Sequence, residues 1–155
     1  MFPEFPKLHF LLVAPSEFGS PEAVQESYVR DAEAKSNLKW LGFRDDVRNL
    51  YAVADLSVLP SYYKEGGYPR ALLEAMALGK PVIAADTEEC KGPVDEGLNG
   101  YLVKPRSVES LTTAIIKVFS DNNRRKRFGN HSLEKMRREF DDQIVVRDVL
   151  KKIIT

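Results

Sequence analysis

The sequence predicts an α/β fold: a parallel sheet wound with helices on both faces, followed by a helical tail over residues 107–155. Three observations carry that prediction. Short apolar runs of strand length alternate with segments of helical periodicity as far as residue 103, the order that calls for parallel strands joined by crossover helices. Beyond Ser107 only helical stripes remain. A length of 155 residues suits a single domain, 1–155, with a real core.

Residues 1–7, interrupted by Pro3 and Pro6, read as the tail of something longer. The apolar run at residues 8–14 predicts a first, buried strand. A loop follows, and Ser20-Pro21-Glu22 opens a helix to about Lys35 with a cap, a proline and an early acid. Leu38 to Gly42 reads as the second strand. Asp45 or Asp46 caps a helix to about Ala54, in which Val47, Leu50, Tyr51 and Ala54 recur at helical spacing. Residues 56–60 form the third strand.

The next stretch organises the rest. A glycine turn leads to Pro69, which opens a short helix that Gly79 closes, the expected punctuation. That helix is apolar nearly all round, as one buried on several sides would be, except for Arg70 and Glu74 on one face. A buried carboxylate needs a partner. Either Arg70 supplies it or a ligand does. Residues 81–85 predict a fourth strand, residues 86–100 a turn-rich loop ending in Asn99-Gly100, and residues 101–103 a short fifth strand. Ser107 starts a helix to about Ser120. Phe128, Leu133, Met136 and Phe140 make a second helical stripe, and Ile144, Val145, Val149 and Ile153 a third.

Bulk properties narrow the function classes. The 23 basic and 23 acidic residues balance, so no global field recruits nucleic acid. Cys90 stands alone and excludes an intramolecular disulfide. No apolar run approaches the roughly 20 residues that span a bilayer, and no signal-peptide core is present, which points to the cytoplasm. Neither His9 nor His131 has a companion at metal-ligand spacing. Arg124-Arg125-Lys126-Arg127, with Arg137-Arg138, makes a basic helix face. It is either solvated or seated on anionic lipid at the inner face of the membrane.

Four motifs stand in order: Trp40-Leu41-Gly42, Asp46 through Ser61, Glu65-Gly66-Gly67-Tyr68-Pro69-Arg70 through Ala84, and Gly97-Leu98-Asn99-Gly100-Tyr101-Leu102-Val103. Together they closely resemble the C-terminal, donor-binding domain of the retaining, GT-B-type glycosyltransferases, the glycosyl transferases group 1 family, over about residues 8–120. The resemblance implies a Rossmann-like domain whose nucleoside diphosphate sugar lies in a cleft facing an acceptor domain outside this chain. It implies that Glu74 hydrogen-bonds the donor ribose and that Glu65, the catalytic candidate, lies near the transferred sugar and adjacent phosphate. The turn Gly66-Gly67-Tyr68-Pro69 would touch sugar or phosphate, largely by main-chain amides, and Phe43 and Arg44 would hold the base. No metal or other cofactor is implied, since the chain lacks an Asp-x-Asp motif.

Elementary physics agrees. A glycine turn at a helix start offers free amides and a positive dipole end to an anion. Glu74 lies about 7 Å along the helix axis, the offset between a diphosphate and a ribose diol.

Three departures matter. Glu65 and Glu74 stand one position further apart than the family spacing. The loop before Val94 reads Cys90-Lys91-Gly92-Pro93, without the acid often found there. The family's opening strand, with its Gly-Arg and Lys grip on the diphosphate, should precede Leu8 and is missing. In the strand order 3-2-1-4-5-6 that strand is central, so the chain must close the gap itself or pair with another chain, as in a homodimer. Lys64 and Lys80 either replace part of the grip or are plain solvated lysines. Tyr62, Tyr63 and Tyr68 either stack on a ligand or pack.

The expectation is therefore a donor-binding domain of a retaining glycosyltransferase, inactive alone, serving a glycan or lipid-linked acceptor. The alternative is a non-catalytic nucleotide-binding module that pairs with a separately encoded acceptor half.

Overall fold

The computed structural model of the chain describes residues 5–15, 23–64 and 66–144. The chain divides into two compact units, residues 1–47 and 48–155. Both are built from parallel strands flanked by helices.

The first unit holds β1 (Phe10–Val13), α1 (Glu26–Lys35) and β2 (Leu38–Gly42). β1 and β2 pair in parallel, with Phe10 opposite Leu38 and a register irregularity between Leu12 and Val13. Helix α1 packs on β2. It starts at Gln25, which makes no side-chain cap bond; the expected cap at Ser20 lies outside the described residues. Trp40 ties this unit together. Its Nε1 donates to Ala14 O at 3.0 Å, and the Arg30 guanidinium stacks 4.8 Å from its ring centroid. The first strand is not buried as expected. Leu11, Leu12 and Val13 remain 46%, 38% and 37% exposed, and among the described residues β1 pairs with β2 alone.

Helix α2 (Val47–Val53) begins at the boundary, and the second unit continues with β3 (Ser57–Leu59), α3 (Arg70–Ala77), β4 (Val82–Ala85) and α4 (Glu88–Lys91). β5 (Gly100–Val103), α5 (Val108–Phe119) and α6 (Asn122–Glu139) complete it. The strands run β3-β4-β5, all parallel, with Ser57 opposite Val82 and Val82 opposite Gly100. β4 is central and its four residues are fully buried, as an interior parallel strand requires. Among the described residues each unit has its own hydrogen-bonded strand set, β1-β2 in the first and β3-β4-β5 in the second. Short α4, with Thr87 at its N-cap position and no side-chain cap bond, stands within the stretch expected as a turn-rich loop.

The core lies between the sheet and helices α3 and α6. Leu72, Ala75 and Met76 of α3 meet Val82 and Ala84 of β4, with Cys90 and Val94 beside them. Tyr51, Leu59, Leu102, Met136 and Phe140 pack around this cluster. Cys90 is thus a small apolar core residue. Helix α5 starts on Ser107, whose Oγ accepts from Ser110 N at 3.1 Å, and α6 on Asp121, whose Oδ1 accepts from Arg124 N at 2.9 Å. Phe128, Met136 and Phe140 of the second expected stripe do face packing partners. Val145, Val149 and Ile153 of the third lie outside the described residues.

Candidate functional site

The chain leaves β3 at its carboxyl end, passes Ser61 to Lys64, and turns through Gly66 and Gly67 into α3. Gly66 has φ +72°, a left-handed conformation that glycine adopts without strain. Pro69 is buried and opens the helix as its N-cap, with φ −60° and ψ 119°. Its carbonyl accepts from the amides of Leu72 and Leu73 at 3.0 and 3.3 Å, and no side chain caps the helix. A proline N-cap has no hydroxyl or carboxylate to offer the first amides. The start of α3 therefore presents N–H groups and a positive dipole end beside a glycine turn.

Glu74 follows on the same helix but is not the buried charge that the sequence suggested. Its carboxylate is 38% exposed, and Oε1 accepts from Arg70 Nη2 at 3.3 Å while Arg70 is 90% exposed. The buried side of α3 is Leu72, Ala75 and Met76, so Glu74 stands at the rim of the apolar face. An exposed pair of this kind contributes a few tenths of a kcal/mol. Glu74 Oε2 accepts no hydrogen bond among the described residues, which leaves it open to a hydroxyl donor. Tyr51 lies nearby: burial, then the Glu74 charge, pushes its phenol above the ordinary value.

The other expected site residues are distributed as follows. Phe43 and Arg44 follow β2 in the first unit. The Phe43 ring is 76% exposed. Arg44 is engaged bidentately by Asp46, Nε to Oδ1 at 2.7 Å and Nη2 to Oδ2 at 2.6 Å. That pairing raises the Arg44 pKa and holds Asp46 below the usual carboxylate range. Gly66, Gly67, Tyr68, Pro69 and Glu74 share one continuous segment of the second unit. Glu65 lies outside the described residues.

Several candidates take structural roles. Lys80 Nζ donates to Ala52 O at 2.9 Å, so it caps the end of α2 instead of waiting for a phosphate. The Tyr68 ring sits over Gly92, where an added Cβ would fall 2.4 Å from Cε1, and meets Phe140 edge-on at 5.5 Å. Tyr62 and Tyr63 stack on each other at 4.8 Å. Arg124 and Arg125 of the basic run donate to the carbonyls of Lys117 and Phe119 at the end of α5. Among the described residues no three His, Cys, Asp or Glu side chains converge as metal ligands would.

Sequence reasoning missed two constellations. Asp95 binds His131 Nε2 at 3.0 Å and Lys135 Nζ at 2.5 Å, with Lys135 only 5% exposed. The spacing of His131 and Lys135 puts them on one helix face, which hints at a shared acid without identifying it. Arg106 carries its guanidinium 4.4 Å from the Tyr62 ring centroid, and nothing in the sequence pairs those positions.

A glycine turn leading into an amide-rich helix start, at the carboxyl end of a parallel strand, is the site pattern of Rossmann-like nucleotide-binding proteins. The chain belongs to the glycosyl transferases group 1 family, whose sequence profile matches residues 10–135. It is 32% identical over 95 residues to the UDP-Gal:alpha-D-GlcNAc-diphosphoundecaprenol alpha-1,3-galactosyltransferase of Escherichia coli, a match covering 61% of this chain and 24% of that protein. It is 30% identical over 112 residues to the N,N'-diacetylbacillosaminyl-diphospho-undecaprenol alpha-1,3-N-acetylgalactosaminyltransferase of Campylobacter jejuni, covering 72% of this chain and 29% of the relative. The chain thus spans about a quarter of the length of these curated relatives. Among solved structures, Anabaena Alr3699/HepE in complex with UDP superposes with a TM-score of 0.84 at 27% identity, over 96% of this chain and 41% of that one. The fold is that of the GT-B glycosyltransferases.

Proposed function

We propose that this chain is the donor-binding part of a group 1 glycosyltransferase, which moves a sugar from a nucleoside diphosphate sugar to a glycan or lipid-linked acceptor with retention. The observation that carries the reading is the uncapped start of α3 behind the left-handed Gly66, with an open carboxylate oxygen on Glu74. The turn amides receive the diphosphate or sugar hydroxyls, Glu74 accepts from the ribose hydroxyls, and Glu65 lies beside the transferred sugar. Phe43 and the main chain at Arg44 hold the base. Catalysis then comes from positioning and from stabilising the departing phosphate. No metal is required in this scheme. Structures of Anabaena Alr3699/HepE in complex with UDP and with UDP-glucose support a nucleotide-sugar ligand.

The acceptor is bound by a further domain, in keeping with the small share of each relative that this chain covers, and the chain alone does not turn over. A strand from another chain, including a second copy, completes the sheet at the exposed β1. Relatives named for undecaprenol-linked acceptors support work at the inner face of a membrane.

Calorimetric titration of UDP, GDP and ADP tests the reading. One of them should bind, and Glu74→Ala should weaken it about tenfold, the cost of hydrogen bonds to a charged group. No heat with any nucleotide at millimolar concentration, in a folded sample, would overturn donor binding.

A further inference from the structure

The geometry points to Arg106, held over the Tyr62 ring, as an anion ligand of the donor at the carboxyl edge of the β3-β4-β5 sheet. This rests on the donor-binding reading above. β3, β4 and β5 are parallel, so the loops leaving β3 and β5 emerge from one edge. Tyr62 lies in the first loop and Arg106 in the second, and the guanidinium carbon stands 4.4 Å from the ring centroid. Gly66 is four residues beyond Tyr62, so the two Cα atoms are within about 15 Å. The stacked guanidinium and the glycine turn therefore belong to the same edge.

Two further observations mark Arg106. Its φ is +59°, and it is the one residue other than glycine with a positive φ among the described residues. A glycine would make this turn into α5 without strain, whereas a side chain there costs stability. Strained residues of this kind cluster at ligand sites. Arg106 is also exposed and has no hydrogen bond or ion pair among the described residues. The acid at the carboxyl end of β4, Asp86, is engaged instead by Lys91 at 3.7 Å. A cation–π contact over a ring restrains the guanidinium without using its N–H fork, which remains available to an oxyanion. The oxyanion is either the donor's diphosphate or a carboxylate carried on its sugar.

Titrating UDP, UDP-glucose, UDP-glucuronate and inorganic pyrophosphate into the wild-type chain, Arg106→Gly and Arg106→Lys tests the inference. Arg106→Gly should weaken UDP, UDP-glucose and pyrophosphate about tenfold if the diphosphate is gripped, and UDP-glucuronate alone if the carboxylate is. Arg106→Lys keeps the charge but loses the fork, and should fall between. Arg106→Gly should melt no lower than wild type, because glycine relieves the left-handed backbone. Equal affinities of wild type and Arg106→Gly for every ligand, with UDP bound by both, would overturn the Arg106 assignment and leave donor binding standing. A wild-type chain that binds pyrophosphate through Arg106 but no nucleotide would overturn donor binding and leave the anion site. No binding of any ligand overturns both, and a lower melting point of Arg106→Gly at unchanged affinity reduces Arg106 to a loop clamp.

Discussion

Asp95 gathers Lys135 and His131 from one face of α6, and the chemistry at that residue sets a pH dependence. Burial pushes the Asp95 carboxyl up, but the hydrogen bonds and charges of Lys135 and His131 outweigh it and hold the group below the usual carboxylate range. A depressed folded-state pKa means stability that is fully present above the unfolded value of about 3.9 and is lost as pH falls through the folded value. Denaturant titrations should show the wild-type chain losing stability below about pH 4. Asp95→Asn should be less stable at pH 7 by about 3 kcal/mol, since Lys135 is then left buried with Glu139 at 3.5 Å as its remaining acid. The deficit should shrink at low pH; an equal deficit at pH 7 and below pH 4 would refute the ionic account. Asn99 works beside this pair, its Nδ2 donating to Pro93 O at 2.9 Å and its Oδ1 accepting from Asp95 N at 2.8 Å. The loop before β5 is thereby fixed, and with it Gly92, which lies under the Tyr68 ring. Gly92→Ala should displace that ring and shift the donor turn, read as weaker nucleotide binding in calorimetry.

At the scale of elements, the end of α3 shows how local and packing demands meet. Leu78 is the C-cap, Gly79 follows with φ +66°, and the amides of Gly79 and Lys80 donate to Met76 O and Ala75 O at 2.9 and 3.0 Å. This is a Schellman turn, which the Gly79-Lys80-Pro81 punctuation made legible. The sequence did not show that α6 crosses this turn. A Cβ on Gly129 would fall 2.2 Å from Gly79 O, so α6 approaches the backbone there as only a glycine allows. Gly79→Ala should cost about 1 kcal/mol for its left-handed backbone. Gly129→Ala should cost about 2 kcal/mol or more, because backbone must move. Denaturant midpoints of the two variants check the order; an equal or reversed ranking would remove the close-approach argument.

For the whole molecule, the two units differ in core. The second contains the buried cluster around Leu72, Met76 and β4, while among the described residues of the first only Leu8 is a buried hydrophobic. A unit with little apolar burial opens more readily. Amides of β1 and β2 should therefore exchange at least about tenfold faster than those of β4 in native-state hydrogen exchange. Saturating nucleotide should slow exchange in the turn into α3.

The sequence by itself determined the fold class, the strand positions, the helix breaks at Pro69 and Gly79 and the carboxylate on α3. These are carried by neighbours along the chain: apolar period, turn conformation and cap chemistry act within a few residues. Tertiary structure alone decided that β1 is exposed, that Lys80 caps α2, that Tyr68 covers Gly92 and that Asp95 gathers residues 36 and 40 positions away. It also decided that Glu74 is a rim carboxylate with an open oxygen and that Arg106 lies on Tyr62. Such contacts depend on which surfaces the packed sheet and helices bring together, and many distant residues could have met those same demands.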